Sequence, residues 1–193
     1  MNEALNAIFH TVFFHRTSGK VEYKDEEICV IGSIGFEDVE CQHLDLSYVR
    51  VNSPELANLI DLNITKFIDA LRAQQSNNPT PSAQIALEFY QRKQSFTNRL
   101  FFSSDRQVWE LWTIKVDIMP DSKDEENQLK SYATTSGQTS EIALNVCQLI
   151  NQQSFVPSSP ARRDLDSIFY TGLADAQPYL FRVSSINLLQ VLI

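Results

Sequence analysis

The stretch Ser140–Asn151, SEIALNVCQLIN, constrains the fold more than any other. A polar Ser/Thr-rich run precedes it and Gln-Gln-Ser follows, so both of its ends read as helix boundaries. Wound at about 3.6 residues per turn, Ile142, Val146, Leu149 and Ile150 share one stripe. Ala143 and Cys147 widen that stripe and Leu144 lies beyond them, leaving Glu141, Asn145 and Gln148 as the polar strip. A surface helix needs an apolar arc only a little over ~100° wide, and this arc is broader. It must be covered from a second direction, by the chain's own layers or by another protein. Helical arithmetic leaves both covers open.

The flanking segments supply candidate layers. Leu5, Ile8, Phe9, Val12 and Phe13 follow the helical period up to Thr17-Ser-Gly19. Lys20–Tyr23 and Ile28–Ile31 flank an acidic turn and predict a hairpin. His43–Val51 alternates as a half-buried strand. Asn52-Ser53-Pro54-Glu55 is a strong helix start, and Leu56, Leu59, Ile60, Phe67 and Leu71 carry that helix to about Ala73. Ile85–Tyr90 and the long run Gln107–Met119 alternate as strands, the second apolar on both faces near its start and so expected to sit centrally or to be covered twice. Gly137 argues against one unbroken helix from Asp121 to Asn151, because glycine costs about 1 kcal/mol in a helix interior. Asp164–Tyr170 predicts a helical turn or two, Tyr179–Ser184 a final strand, and Ile186–Ile193 an apolar tail. The sum is one α+β domain, with helices packed on one mainly antiparallel sheet.

Composition narrows the function classes. A net charge of −8 disfavours nucleic acid, whose phosphates need a basic face, and disfavours an anionic membrane surface for the same reason. Three cysteines, an odd number with Cys147 inside the helix, fit free thiols in a reducing compartment. No apolar run reaches the ~20 residues that span a bilayer, and the chain reads as soluble and intracellular. Catalytic signatures are thin. Cys41 and His43 are two apart on the expected strand and so on one side of it, a possible nucleophile and base for a small thiol hydrolase. No CxxC, HxxxH, GxSxG or glycine-rich phosphate cradle accompanies them, so no metal or cofactor is expected. The loop Gln91–Arg106 sets Phe96, Leu100, Phe101 and Phe102 among Arg92, Lys93, Arg99 and Arg106. Those apolar side chains either cap the core edge or form a finger for a partner or membrane.

Five blocks in order along the chain carry a resemblance: HTVFFHRTSGK (10–20), GSIGFEDVECQHLDLSYVRV (32–51), LEFYQRK (87–93), VWELWTIKV (108–116) and TGLADAQPYLFRVS (171–184). Together they resemble the autophagy-related protein 101 family. The resemblance implies a HORMA domain and a non-enzymatic scaffold or adaptor subunit of the unc-51-like kinase complex in autophagy initiation. It implies a heterodimer with the HORMA domain of autophagy-related protein 13, stabilisation of that partner, and recruitment of downstream factors at phagophore assembly sites in the cytoplasm. Membrane contact would be indirect or through the Phe-rich loop.

Carried onto this sequence, the family's partner contact falls on Ala143, Leu144, Asn145, Val146 and Cys147, with His15 a further candidate. The resemblance thus selects a partner as the second cover, and Val146→Asp is expected to weaken binding while the chain stays folded. The family's tryptophan–proline–phenylalanine recruitment finger matches Leu100, Phe101 and Phe102; leucine replaces the tryptophan, with less area and no indole donor. Residues 1–193 are expected to form a single HORMA domain without the family's N-terminal strand and C-terminal extension. The alternatives are a HORMA adaptor of checkpoint or repair type and the thiol hydrolase.

Overall fold

The computed structural model describes residues 1–26, 28–74, 82–92, 106–118, 124–151, 155–158 and 160–187. The chain opens in α1 (Asn2–His15), followed by β1 (Thr17–Ser18), β2 (Val21–Tyr23), β3 (Cys29–Ile31), β4 (Phe36–Glu40) and β5 (Ser47–Val51). Next come α2 (Pro54–Gln74), β6 (Ser82–Arg92), β7 (Arg106–Asp117) and α3 (Glu125–Leu149). A 3-10 turn at Arg162–Asp164 leads into α4 (Leu165–Ile168), then β8 (Gln177–Pro178) and β9 (Phe181–Asn187). The class is α+β with antiparallel pairing, consistent with the HORMA domain that the resemblance implies.

The axis of the fold is α1. From Leu5 to Phe13 no residue is exposed, so this helix is enclosed over most of its length. Such enclosure fits a helix whose apolar residues spread around its circumference. One side lies on the three-stranded sheet β7-β6-β9, where Phe13 meets Phe89 and Phe181 edge-on at 5.5 and 4.8 Å. Ala83, Ile85, Leu87 and Phe89 of β6 form the buried floor. Beside α1 runs α2, which adds Leu56, Ile60, Ile64, Phe67, Ile68 and Leu71 to the core. Its start is capped as the sequence predicts: Ser53 Oγ accepts from the Leu56 amide and donates to Asp175. The β4–β5 ribbon also packs on α1, where Tyr48 stacks on His10 at 5.7 Å.

Three expectations give way. First, the hairpin β2–β3 forms as predicted, but His43–Val51 is not one strand. Its first half is the turn between β4 and β5, in which the Cys41 amide donates to the Leu46 carbonyl. Alternation there reflects a turn that buries Leu44 and exposes its neighbours. Second, β7 is an edge strand and β6 is the centre. The register slips between Phe89 and Tyr90, which pair with Glu110 and Val108, so Trp109 is the extra residue of a β-bulge. The bulge brings Trp109 and Glu110 to the core side together, whereas Leu111 beyond it is exposed. Two-faced apolarity near the strand start thus marks a bulge rather than a central position.

Third, α3 runs unbroken through Gly137. Asp124 caps it by accepting from the Glu126 amide, and Glu125 and Glu126 complement the positive end of the helix dipole. Ser136 Oγ donates to the Asp45 carbonyl at 3.0 Å, one position before the glycine, and Thr139 is buried just after it. These anchors outweigh the local cost of glycine. The expected Tyr179–Ser184 strand is realised as β9, which starts at Phe181 and runs on to Asn187, while Tyr179 makes an isolated bridge to Phe169. Residues 188–193 of the apolar tail lie outside the described residues, and the described strands outside the three-stranded sheet pair as separate two-stranded ribbons.

A Cβ at Gly137 would meet nothing within 4 Å. Gly137→Ala is therefore expected to stabilise the chain by about 0.5–1 kcal/mol, read as a raised urea midpoint at unchanged slope. His10 offers a second measurement. Burial, then the charge of Arg50, pushes its pKa from 6.5 down to about 4, partly offset by Asp61 and Glu37. The unfolded chain takes up that proton first as pH falls, so the contribution is full above 6.5 and declines towards 4. Its size is up to about 3 kcal/mol, and His10→Gln should flatten that part of the stability–pH curve.

Candidate partner-binding surface

Two large apolar side chains hold α3 from inside. Val146, 3% exposed, and Ile150 just past the helix end both join the core, and Val146 packs beside Ile8, Phe9 and Val12 of α1. The remaining apolar residues of the helix are not so covered. Leu144 is 63% exposed and Leu149 55%, and Leu129 and Tyr132 of the first turns are also open to solvent. Ile142 sits on the boundary, beside a small apolar cavity of ≈ 120 Å³ walled by α1, by Trp112 and Ile114 of β7, and by Asn145.

The five consecutive candidates, Ala143–Cys147, do not share a face. At about 100° per residue they travel more than once around the helix. Leu144 and Cys147 look outward, Asn145 is exposed at the cavity rim, Ala143 is half-buried, and Val146 is inside. Val146 is therefore not the clean probe of binding that the sequence reading expects, because an aspartate there would bury a carboxylate in the core. Leu144 and Cys147 are the members available to another protein. His15 is half-buried, with its ring edge-on to Phe14 at 5.4 Å, and Phe14 in turn meets the exposed Phe36. Burial, then the Arg16 charge, lowers the His15 pKa, with Glu110 acting in the opposite sense, so the ring is neutral at physiological pH. Leu100, Phe101 and Phe102 lie outside the described residues.

The corner joining His15 to α3 is built on a residue that sequence reading missed. Arg16 is buried, and its Nε and Nη2 donate to Glu110 Oε2 at 2.8 and 2.7 Å. Nη2 also donates to the Ile150 carbonyl at 2.9 Å, and Nη1 to the His15 carbonyl at 3.1 Å. The second oxygen of Glu110 accepts from Trp112 Nε1 at 2.5 Å, and the guanidinium lies 5.8 Å from the Trp109 ring centroid. The Arg16 carbonyl accepts from the Tyr179 amide. A charged residue at the end of an apolar helix is the signal the sequence offers for it.

Cys41 and His43 are not arranged as nucleophile and base. Both sit at the β4–β5 turn, where the Gln42 and His43 amides and the His43 ring engage the Glu3 carboxylate. Burial and the Glu3 charge push the Cys41 thiol up, away from the reactive thiolate. Among the described residues no group of three or more His, Cys, Asp or Glu side chains is placed to hold a metal ion, and no helix is long and apolar enough to cross a membrane.

The geometry is that of an α+β domain presenting a partly apolar helix flank to solvent. Comparison with known proteins supplies its relatives. The sequence model of the autophagy-related protein 101 family matches residues 1–163. The chain is 36% identical over 184 residues to autophagy-related protein 101 of Homo sapiens, covering 95% of this chain and 81% of that one. Against the Xenopus laevis protein of the same name the identity is 35% over 184 residues, with the same coverage. Against the Arabidopsis thaliana protein it is 28% over 123 residues, covering 64% of this chain and 49% of that one. The chain belongs to the autophagy-related protein 101 family, and its role lies in autophagy.

Of the three thiols only Cys147 is exposed, and alkylation tests its difference from Cys41. With iodoacetamide at mildly alkaline pH, the exposed Cys147 should be modified well ahead of the half-buried Cys41. Peptide mapping over time reads the order, and equal rates would contradict the described surface.

Proposed function

We propose that the chain acts in autophagy initiation as a non-catalytic scaffold, a single HORMA domain over residues 1–193. It binds and stabilises the HORMA domain of autophagy-related protein 13 as a heterodimer within the unc-51-like kinase complex. It works in the cytoplasm, is drawn to phagophore assembly sites, and recruits downstream factors through Leu100, Phe101 and Phe102. Family membership supports the setting. The observation that carries the binding role is the outward flank of α3, where Leu144 and Cys147 leave apolar surface uncovered.

Leu144 and Cys147 are the direct contacts on this reading, with Asn145 and His15 at the margins and Ala143 and Val146 supporting from below. Interfaces of stable heterodimers typically bury about 1,200–2,000 Å² in total, far more than these side chains offer, so they form its centre rather than its extent. A few well-buried residues near such a centre typically carry most of the binding energy.

Leu144→Asp adds a charge on an exposed position and leaves the core intact. It should weaken binding to the purified HORMA domain of autophagy-related protein 13 by about tenfold or more, while stability stays within about 0.5 kcal/mol of the parent. Titration calorimetry reads the first and urea unfolding the second. Binding at parental strength would remove this flank from the interface.

A further inference from the structure

We infer that Arg16 positions α3 for partner binding without touching the partner. The inference rests on the proposed reading of α3 as the interaction helix. Every helix leaves its last carbonyls without an internal donor and carries a partial negative charge at that end. The last turn of α3 contains no basic residue to answer it. Arg16 supplies the cation from another element, donating from Nη2 to the Ile150 carbonyl at 2.9 Å. The guanidinium is itself fixed, because Nε and the same Nη2 grip Glu110 on the bulged segment of β7. The end of α3 is thereby tied to two elements at once, α1 and the sheet.

The tie matters because few side chains of this helix are fully buried, so a directional bond at its end helps to set its rotation about its axis. Within its span α3 buries only Ser136, Thr139 and Val146, with Ile150 following at the cap. Its fixed points include the bond from Ser136 to the Asp45 carbonyl, the Val146 and Ile150 contacts, and Arg16. Leu144 lies six residues from Ile150, about 9 Å along the axis, so freedom at the cap reaches the candidate contact as a rotation. Lysine could not replace arginine here. A single ammonium lacks the planar fork that serves a carboxylate and a carbonyl together.

The test uses the full chain and two variants. Arg16→Met with Glu110→Leu removes both charges and leaves no orphan carboxylate, an exchange that proteins often tolerate. Arg16→Lys keeps the positive charge and carries the same comparison should the double variant unfold. Amide hydrogen exchange of the free protein is followed over Cys147–Ile150, and affinity for the purified HORMA domain of autophagy-related protein 13 is measured alongside. Both variants should exchange about tenfold faster there and bind about tenfold more weakly, whereas Leu144→Asp should lose affinity with exchange unchanged. Unchanged exchange in either folded variant overturns the positioning role. Faster exchange with full affinity overturns it too, and Leu144→Asp then separates the causes. If Leu144→Asp still weakens binding, the interface stands and only the role of Arg16 falls; if it does not, the interface reading itself has failed.

Discussion

The ion pair between Arg16 and Glu110 joins parts of the chain that are far apart in sequence. Its members are 94 residues apart in sequence, and the Ile150 carbonyl it also serves is 134 residues from Arg16. Removing two charges from water is costly, and such a pair is stable only when every remaining donor and acceptor is satisfied. Here both oxygens of Glu110 are engaged and the guanidinium reaches the carboxylate and two carbonyls. The network forms only when α1, β7 and the end of α3 are all in place. A partial arrangement would leave a buried charge unpaired, at a cost that the complete network avoids.

The bulge at Trp109 makes this corner possible. In regular alternation Trp109 and Glu110 would face opposite sides of the sheet. The extra residue lets the carboxylate meet Arg16 while the indole packs on Phe89 and Tyr179. The sequence shows two tryptophans and a glutamate in a strand-like run, and period-two reading places that run at the sheet centre or under a double cover. Only the register reveals an edge strand with one displaced residue. In the same way, the helical period identifies α1 and α2, and Ser53-Pro54 marks where α2 begins, because those signals are local. The continuity of α3 through Gly137 was not legible, since the anchor that offsets glycine is the carbonyl of Asp45, far away in the chain.

The candidate surface was legible to a similar depth. The breadth of the apolar arc on Ser140–Asn151 is a sequence property, and it correctly implies more apolar surface than one neighbour covers. Which residues lie on the covered side is not a property of that stretch. It depends on α1, which claims Val146 and Ile150 and leaves Leu144, Cys147 and Leu149 outside, although Leu149 shares the predicted inner stripe. A resemblance that marks five consecutive residues cannot divide them, whereas a turn of about 100° per residue does. The Cys41–His43 pair failed for the opposite reason. Their spacing implied one strand face, but the backbone turns there and gives both to the loop that Glu3 binds.

These facts bear on how α3 functions as an element of the free chain. Burying a large aliphatic side chain contributes about 1.5–3 kcal/mol, and α3 with its cap gains that from Val146 and Ile150. Its outer side carries Leu144, Leu149 and Leu129, so a partner covering even two of them would match the whole inner contribution. Apolar contact alone leaves the rotation of such a helix loosely defined, and directional contacts sharpen it. Ser136 near its middle and Arg16 at its end provide hydrogen bonds, whose strength depends on angle and distance in a way that apolar contact does not. Directional anchors fix the presented flank in advance and reduce the ordering cost that association would otherwise carry. On the proposed reading, the apolar flank supplies affinity and the buried arginine supplies aim, and the two properties reside in different residues.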